Sequence, residues 1–476
     1  MQRLLKEITP RTEDYSQWYL DVINKADLMD YAPVRGFMVI KPYAYRVWEL
    51  IQAYMDARFQ ETGHQNAYFP LLIPESLFKR EAQHVEGFSP EVAWVTQGGS
   101  EELSERLAIR PTSETITGIM YAKWIQSYRD LPVLINQWCN VLRWEKATRP
   151  FVRPREFLWQ EGHTVHRTEA DAREETQRML NIYVDTLRDV LAIPALSGEK
   201  SERERFAGAV ETWALEALMG DGRALQAATS HFLGQNFARV FEIDFLDEDG
   251  ERRLGWTTSW GASIRLIGAL IMVHGDDRGL RLPPRVAPIQ VVVVPIAAGP
   301  QREQVLDAAR QAGAEIGEIG GLRVHVDDRQ EYTPGWKFND WEMRGVPVRV
   351  EIGPRDLAQG QVVLVRRDTG EKAVVPRNQL ALRVRELLDD VQEGLYQQAL
   401  SWRDSHTYTV SSVDEILAHD VRGFFKSGLC AESACEDRLQ TATGATLRVL
   451  EAGEPEGACL VCGAPAVRRA VFARAY

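Results

Sequence analysis

The sequence predicts an α+β protein built in three parts, and three observations predict it. Up to residue 284, helix signals mix with antiparallel strand signals and no regular βαβ repeat occurs. Residues 285–385 then run strand, helix, strand, helix, strand, strand, the order of a compact α/β domain. Four of the five cysteines crowd into the end of the third part, residues 386–476. A chain of 476 residues has room for two to four domains.

The elements follow in order. KPYAYRVWELIQAYMDARFQETG carries apolar residues at helical spacing and stops at Gly63. NAYFPLLIP is a short extended run that Pro70 and Pro74 confine to an edge or an interface. RPTSETITGIMYAKWIQSY opens a helix with Thr112 or Ser113 as its cap. LPVLINQWCNVLRWE reads as a buried strand, and EADAREETQRMLNIYVDTLRDVLA as an amphipathic helix. FARVFEIDFLDEDGERRLGWTTSW alternates across a DEDG turn and reads as a hairpin.

RLPPRVAP marks a boundary, because Pro283, Pro284 and Pro288 allow neither helix nor strand to continue. Beyond it IQVVVVPI reads as a strand covered on both faces, and LRVHVDD, VPVRVEIGP and QVVLVRRDTGEKAVV supply the remaining strands. QREQVLDAARQAGAEIGEI and GWKFNDWEMRG are the helices between them, with Trp336 and Trp341 expected in the core. NQLALRVRELLDDVQEGLYQQALSWRDS is a long helix leading to the cysteine-bearing end.

Hydrophobic residues at 45% and charged residues at 26% are ordinary for a globular protein. No apolar run approaches the roughly 20 residues of a membrane helix. MQRLLKEITPRTEDYSQWYL has no apolar core followed by a cleavage site, so a cytoplasmic location is expected. The net charge of −12 argues against a nonspecific coat for nucleic acid and leaves local basic patches open. Neither a phosphate-loop pattern nor a dinucleotide fingerprint occurs.

Cys430, Cys435, Cys459 and Cys462 are spaced C-x4-C, a 23-residue gap, then C-x2-C. Two close thiolate pairs suit a tetrahedral Zn²⁺ with no open position, hence a structural one. The plainer reading is four unrelated reduced thiols. Cys139 is isolated and reads as a small buried residue.

RWEKATRPFVRPREFLWQEGHT, Arg143–Thr164, is the most informative stretch. It carries five basic residues, three glutamates and interleaved aromatics, too charged for a core strand and too aromatic for a solvated loop. Arginine forks bind phosphate oxygens, and aromatic or guanidinium faces stack on a planar base. On charges alone, an internal ladder of these arginines with Glu145, Glu156 and Glu161 is the favoured reading of the stretch.

A resemblance reverses this preference. The stretch resembles motif 2 of the class II aminoacyl-tRNA synthetases, SWGASIRLIGALIMVHGD resembles motif 3, and GHQNAYFPLLIP resembles motif 1 with Pro70 at a dimer interface. RPTSE, RWE, REFLWQEGHT, TSHFLGQNF and HGDDRGLRLPPRVAP together resemble the prolyl-tRNA synthetases of archaeal/eukaryotic-like type, over nearly the whole chain. The resemblance implies a class II synthetase catalytic domain at 1–284, an anticodon-binding domain at 285–385 and a zinc-binding domain at 386–476. It implies joining of L-proline to tRNA(Pro) with ATP and Mg²⁺, and a homodimer. Arg143 and Arg265 would be the catalytic pair. Glu145, Arg153, Phe157, Gln226, Thr229 and Ser263 would complete the ATP site, Ser263 standing where the family has threonine. Thr112, Glu114, Trp159, Glu161, His163 and His231, with Arg143, would hold proline. Glu342, Arg349, Glu351, Arg355 and Asp356 would face the anticodon. About 100 residues separate Arg155 from Trp256, too few for the large editing insertion of the bacterial type, so mischarged alanine would need a separate editing protein. Two alternatives remain: a catalytically silent binding paralogue, and a threonyl or glycyl enzyme of the same architecture.

Overall fold

The computed structural model describes residues 8–82, 91–296, 299–455 and 457–476. The first seven residues of the amino-terminal stretch read above lie outside them. The first part begins with helices α1, Tyr15–Lys25, and α2, Pro42–Glu61. Its strands are β1, Gln65–Asn66; β2, Val133–Leu142; β3, Glu156–His166; β4, Ala195–Glu199; β5, Glu211–Leu218; β6, Ala224–Gly234; and β7, Trp256–Ser263. Three more helices belong with them: α3, Glu114–Trp124; α4, Glu169–Asp185; and α5, Arg265–His274. In space the strands run β4-β5-β6-β7-β3-β2-β1, all antiparallel neighbours except the parallel edge pair β2–β1.

Helices α1, α2, α4 and α5 pack around a core that includes Trp18, Tyr19, Phe59, Tyr183 and Trp260. Full burial of one such side chain contributes about 1.5–3 kcal/mol. One register position needs glycine. A Cβ at Gly162 would stand 2.1 Å from the Trp260 ring, which lies flat across β3 at that point. Helix α3 packs elsewhere, against a short helix Asn236–Phe241.

That short helix corrects one expectation. FARVF is helical rather than the first arm of a hairpin, and only Asp244–Leu246 pairs with Arg252–Leu254. Phe237 and Phe241, one helical turn apart, are both buried there, and Gly118 of α3 leaves the Phe241 ring the space a Cβ would fill.

The second part carries β8, Val291–Pro295; β9, Val324–Val326; β10, Val348–Ile352; β11, Gln361–Arg366; and β12, Lys372–Pro376, in the order β9-β8-β10-β11-β12. The first three are parallel and the last two antiparallel. Its helices are α6, Arg302–Glu318, and α7, Pro334–Met343; α8, Leu380–Ser405, follows.

The third part contributes β13, Thr407–Thr409; β14, Phe424–Leu429; helix α9, Ser433–Thr443; β15, Thr446–Glu451; and β16, Arg468–Ala473. These strands do not form a sheet of their own. They extend the sheet of the first part to eleven strands, because Leu450 of β15 pairs with Glu199 of β4. Buried charges lock the seam. Glu216 of β5 accepts hydrogen bonds from Lys200 at 2.7 Å and from both forks of Arg448 at 2.8 and 3.1 Å. Nearby, the Tyr476 hydroxyl donates to Asp221 at 2.6 Å, and Arg149, from the loop between β2 and β3, stacks 4.8 Å from its ring.

Candidate active site

The sheet's alternation builds the site. Phe157, Trp159, Glu161 and His163 occupy every second position of β3 and face one cavity, while Gln160 and Thr164 face away. Gln160 instead accepts from the Tyr183 hydroxyl of α4 at 2.7 Å. On β7, Ser259, Gly261 and Ser263 face the same way. On β6, Thr229 and His231 do, and a bulge opposite Leu215 and Glu216 shifts the parity so that Gln226 joins them. Thr112 and Glu114 at the start of α3, Arg143 just past β2, and Arg265 opening α5 close a cavity of about 280 Å³.

The structure thus gathers Thr112, Glu114, Arg143, Phe157, Trp159, Glu161, His163, Gln226, Thr229, His231, Ser263 and Arg265 around one space. Glu145 and Arg153 are not in its wall. They pair with each other at 2.9 Å in the loop between β2 and β3.

The two arginines define the electrostatics. Arg143 donates through Nε to the Pro111 carbonyl at 3.0 Å and lies 5.4 Å from the centres of both the Phe157 and Trp159 rings. Arg265 donates to the carbonyls of Val152 and Gln226 at 3.0 and 3.2 Å, and its backbone N–H to Ser263 Oγ. Among the described residues neither guanidinium makes an ion pair. Burial, reinforced by repulsion from Arg143, pushes Arg265 down to about 10. Burial also lowers Arg143, against the pull of Glu114, Glu161 and Glu145. Two desolvated cations sharing a cavity are relieved by an anion between them.

The carboxylates are arranged differently. Glu161 accepts from Ser113 N–H at 3.1 Å, from Gln137 Nε2 at 2.9 Å and from Ser113 Oγ, and its Oε2 lies 3.1 Å from His163 Nε2. Burial alone would raise its pKa, but His163 and these donors hold it well below the usual carboxylate range. His163 moves the other way: burial lowers it, yet Glu161 and Glu114 raise it overall. His231 accepts or donates at Thr212 Oγ1, 3.0 Å away, and burial plus repulsion from His163 drives it down to about 3, so it stays neutral. Glu114 accepts from Thr112 Oγ1 and otherwise faces the cavity.

Those contacts revise the capping expectation. Ser113 is the N-cap of α3 but makes no side-chain cap, because its hydroxyl serves Glu161; the Thr112 hydroxyl serves Glu114. Sequence reasoning missed Ser113 and Gln137 as supports, and Phe206 and Thr212 as walls around His231. Nothing local in the sequence marked Gln137 or Phe206.

The other predicted sites divide in two. Arg349 bonds Glu351 at 2.9 and 3.0 Å and Glu342 at 3.2 Å, with Phe338 4.2 Å beneath its guanidinium. Arg355 and Asp356 are not in that cluster. They begin the turn after β10, where Asp356 accepts from Gly353 N–H at 2.9 Å and Arg355 is exposed. Trp341 is core, but Trp336 is only half-buried, because it sits on the side of α7 that faces the loop before it rather than the sheet.

The four cysteines converge. Their sulfurs all lie within 4.8 Å of one another, with Cys430 3.6 Å from Cys435 and 3.7 Å from Cys462. A tetrahedron of Zn–S bonds near 2.3 Å places its sulfurs about 3.8 Å apart. The set fits a metal, and the distances are far too long for disulfides. Arg438 donates to Cys435 Sγ at 3.0 Å, which suits thiolate charge.

Comparison with known families agrees with this architecture. Residues 94–274 match the class II tRNA synthetase core domain (G, H, P, S and T), residues 290–387 the anticodon binding domain, and residues 414–476 the prolyl-tRNA synthetase C-terminal domain. The chain is 58% identical to a proline–tRNA ligase of Natranaerobius thermophilus, over all of this chain and 99% of the relative. The chain belongs to the proline–tRNA ligase family. A proline–tRNA ligase of Symbiobacterium thermophilum is 56% identical over 99% of both chains, and one of Rubrobacter xylanophilus 58% identical over the full length of both. In this family member the class II core, the anticodon-binding part and the C-terminal part are joined as described, and among the described residues no helix is long and apolar enough to cross a membrane.

Proposed function

We propose that this chain activates L-proline with ATP, forming prolyl-adenylate and pyrophosphate, and then transfers proline to the 3′ end of tRNA(Pro). The observation that carries the reading is the pair of half-buried arginines whose guanidinium groups, among the described residues, hydrogen-bond to backbone carbonyls and face one cavity with Glu114. Proline's carboxylate is already ionised at neutral pH, so the first step needs no general base. It needs two anions brought together and held in line. Arg143 bridges the proline carboxylate and the α-phosphate, and Arg265 stabilises the charge on the phosphate chain. Phe157 stacks on adenine, Glu145 meets the adenine edge, and Arg153 leaves its Glu145 contact for the outer phosphates. Gln226, Thr229 and Ser263 line the ribose and phosphate side. Mg²⁺ bound with ATP neutralises phosphate oxygens.

At the other end, Glu114 and Thr112 receive the cationic amine of proline. Glu161, with its oxygens already occupied, fixes His163, and Trp159 and His231 complete the wall. Glu342, Arg349 and Glu351 form the anticodon-reading cluster, with Arg355 and Asp356 beside it. The four cysteines hold a structural Zn²⁺. The exposed Tyr68, Leu72 and Trp124, near the edge strand β1, support a homodimer through this face, and the compartment is cytoplasmic. A pocket that tells proline from alanine by shape alone rejects the smaller side chain weakly. Among the described elements between Glu156 and Ser263 no separate insertion domain stands, which supports clearance of alanyl-tRNA by a separate protein.

Amino-acid-dependent ATP–pyrophosphate exchange tests the reading. Exchange with proline and not with threonine or glycine is the expected result. No exchange with any amino acid would make the chain a binding module, and exchange with threonine alone would reassign its specificity.

A further inference from the structure

We propose that Tyr332, stacked on Trp336 and braced by Arg329, is a platform on which one unpaired base of the tRNA anticodon loop stacks. The inference rests on the functional reading above and names a contact that reading does not contain.

The platform is a built feature of the segment between β9 and α7. The Tyr332 and Trp336 rings lie 3.8 Å apart and 13° from parallel. The Arg329 guanidinium stands 5.0 Å from the first ring centre and 5.3 Å from the second. Its position is fixed, since it donates to both oxygens of Asp327 at 2.8 and 2.7 Å and to Asp340 at 3.2 Å. Asp327, fully buried, is held in turn by Trp341 Nε1 at 2.8 Å, and its backbone carbonyl by Lys337 at 2.8 Å. Thr333 caps α7 through Trp336 N–H. This network fixes the Arg329 guanidinium beside both rings, and yet Tyr332 remains 38% exposed. An exposed aromatic held rigidly at the surface contributes nothing to the core. It offers a flat face whose ordering cost has been met on folding.

Its place in the sheet selects the occupant. Strands β8, β9 and β10 are parallel, so the segments following β9 and β10 leave the same edge. The second of these carries Arg355, exposed and without an ion pair among the described residues. An aromatic face and a free guanidinium along one edge match the alternation of base and phosphate in single-stranded RNA. Domain 290–387, which matches the anticodon binding domain, is where such a strand arrives.

The test uses the full-length enzyme with Tyr332→Phe, Tyr332→Leu and Tyr332→Ala. Base–aromatic stacking predicts a KM for tRNA(Pro) raised about 5- to 150-fold in the alanine and leucine variants. The phenylalanine variant keeps the wild-type value, and proline-dependent ATP–pyrophosphate exchange is unchanged in all three. In parallel, an anticodon stem–loop RNA carrying 2-aminopurine at one loop position at a time is titrated. Stacking quenches the fluorescence of one position on wild type and on Tyr332→Phe, and not on Tyr332→Leu. The proposal is overturned if Tyr332→Leu matches wild type in KM, or if no loop position is quenched in a Tyr332-dependent way. Absence of proline exchange in the wild-type enzyme would instead overturn the functional reading beneath it.

Discussion

Replacing Arg143 with alanine tests its proposed bridging of the proline carboxylate and the α-phosphate, and the structure sets the size of the expected effect. Its Nε is already committed to the Pro111 carbonyl, so the two terminal nitrogens remain for the substrates. The Phe157 and Trp159 rings, both 5.4 Å away, fix the plane of the fork. If each terminal nitrogen makes one charge-assisted hydrogen bond at about 1.5–3 kcal/mol, alanine forfeits about 3–6 kcal/mol. That corresponds to a loss of roughly 10²- to 10⁴-fold in kcat/KM for ATP–pyrophosphate exchange. Lysine keeps a charge but not the fork, and recovers only part of the loss. Binding of tRNA(Pro), measured by filter retention, stays near wild type because the anticodon-binding part is untouched. Exchange within tenfold of wild type in Arg143→Ala would refute the bridging role. Loss of tRNA binding together with exchange would show that Arg143 acts by holding the fold.

Three further outcomes follow from the geometry. If the four thiolates hold the proposed Zn²⁺, Cys459→Ser should lower zinc content and the melting temperature; unchanged metal content by elemental analysis would refute the four-thiolate site. Glu216→Gln breaks the buried cluster with Lys200 and Arg448, for which a loss of about 3–5 kcal/mol is expected, read as an earlier unfolding transition and faster proteolysis of the C-terminal part. His274, buried against the Leu191 carbonyl, is held down to about 4 by burial. Below pH 6.5 the unfolded chain takes up a proton that the folded chain refuses, so stability falls as pH drops from 6.5 toward 4. In His274→Gln, the free energy of urea unfolding should therefore fall by about 1.5 kcal/mol less than in wild type between pH 6.5 and 5.

The parts of the site that were legible in the sequence are those whose chemistry is written in residue type and strand period. Phe157, Trp159, Glu161 and His163 alternate in β3, so once one faced the cavity the others had to. The two cysteine pairs announced their convergence by spacing. What stayed hidden depends on competition between partners. Ser113 could cap α3 or serve Glu161, and only the packed sheet decides for Glu161. FARVF has a strand's composition, but the pocket made by Gly118 favours a helix. Trp336 reads as core because tryptophan usually is; its stacking on Tyr332 leaves it at the surface. The fusion of the C-terminal strands to β4 had no local signal at all, since an edge pairing is set by which strand remains open.

That fusion bears on how the chain comes off the ribosome. Leu450 pairs with Glu199, about 250 positions upstream. At about 5–20 residues per second the earlier strand waits roughly 12 to 50 s for its neighbour. Throughout that interval Ala195–Glu199 offers unsatisfied backbone groups to any passing strand. A nascent polypeptide of this topology gains from a chaperone that shields that border until translation has passed Glu451.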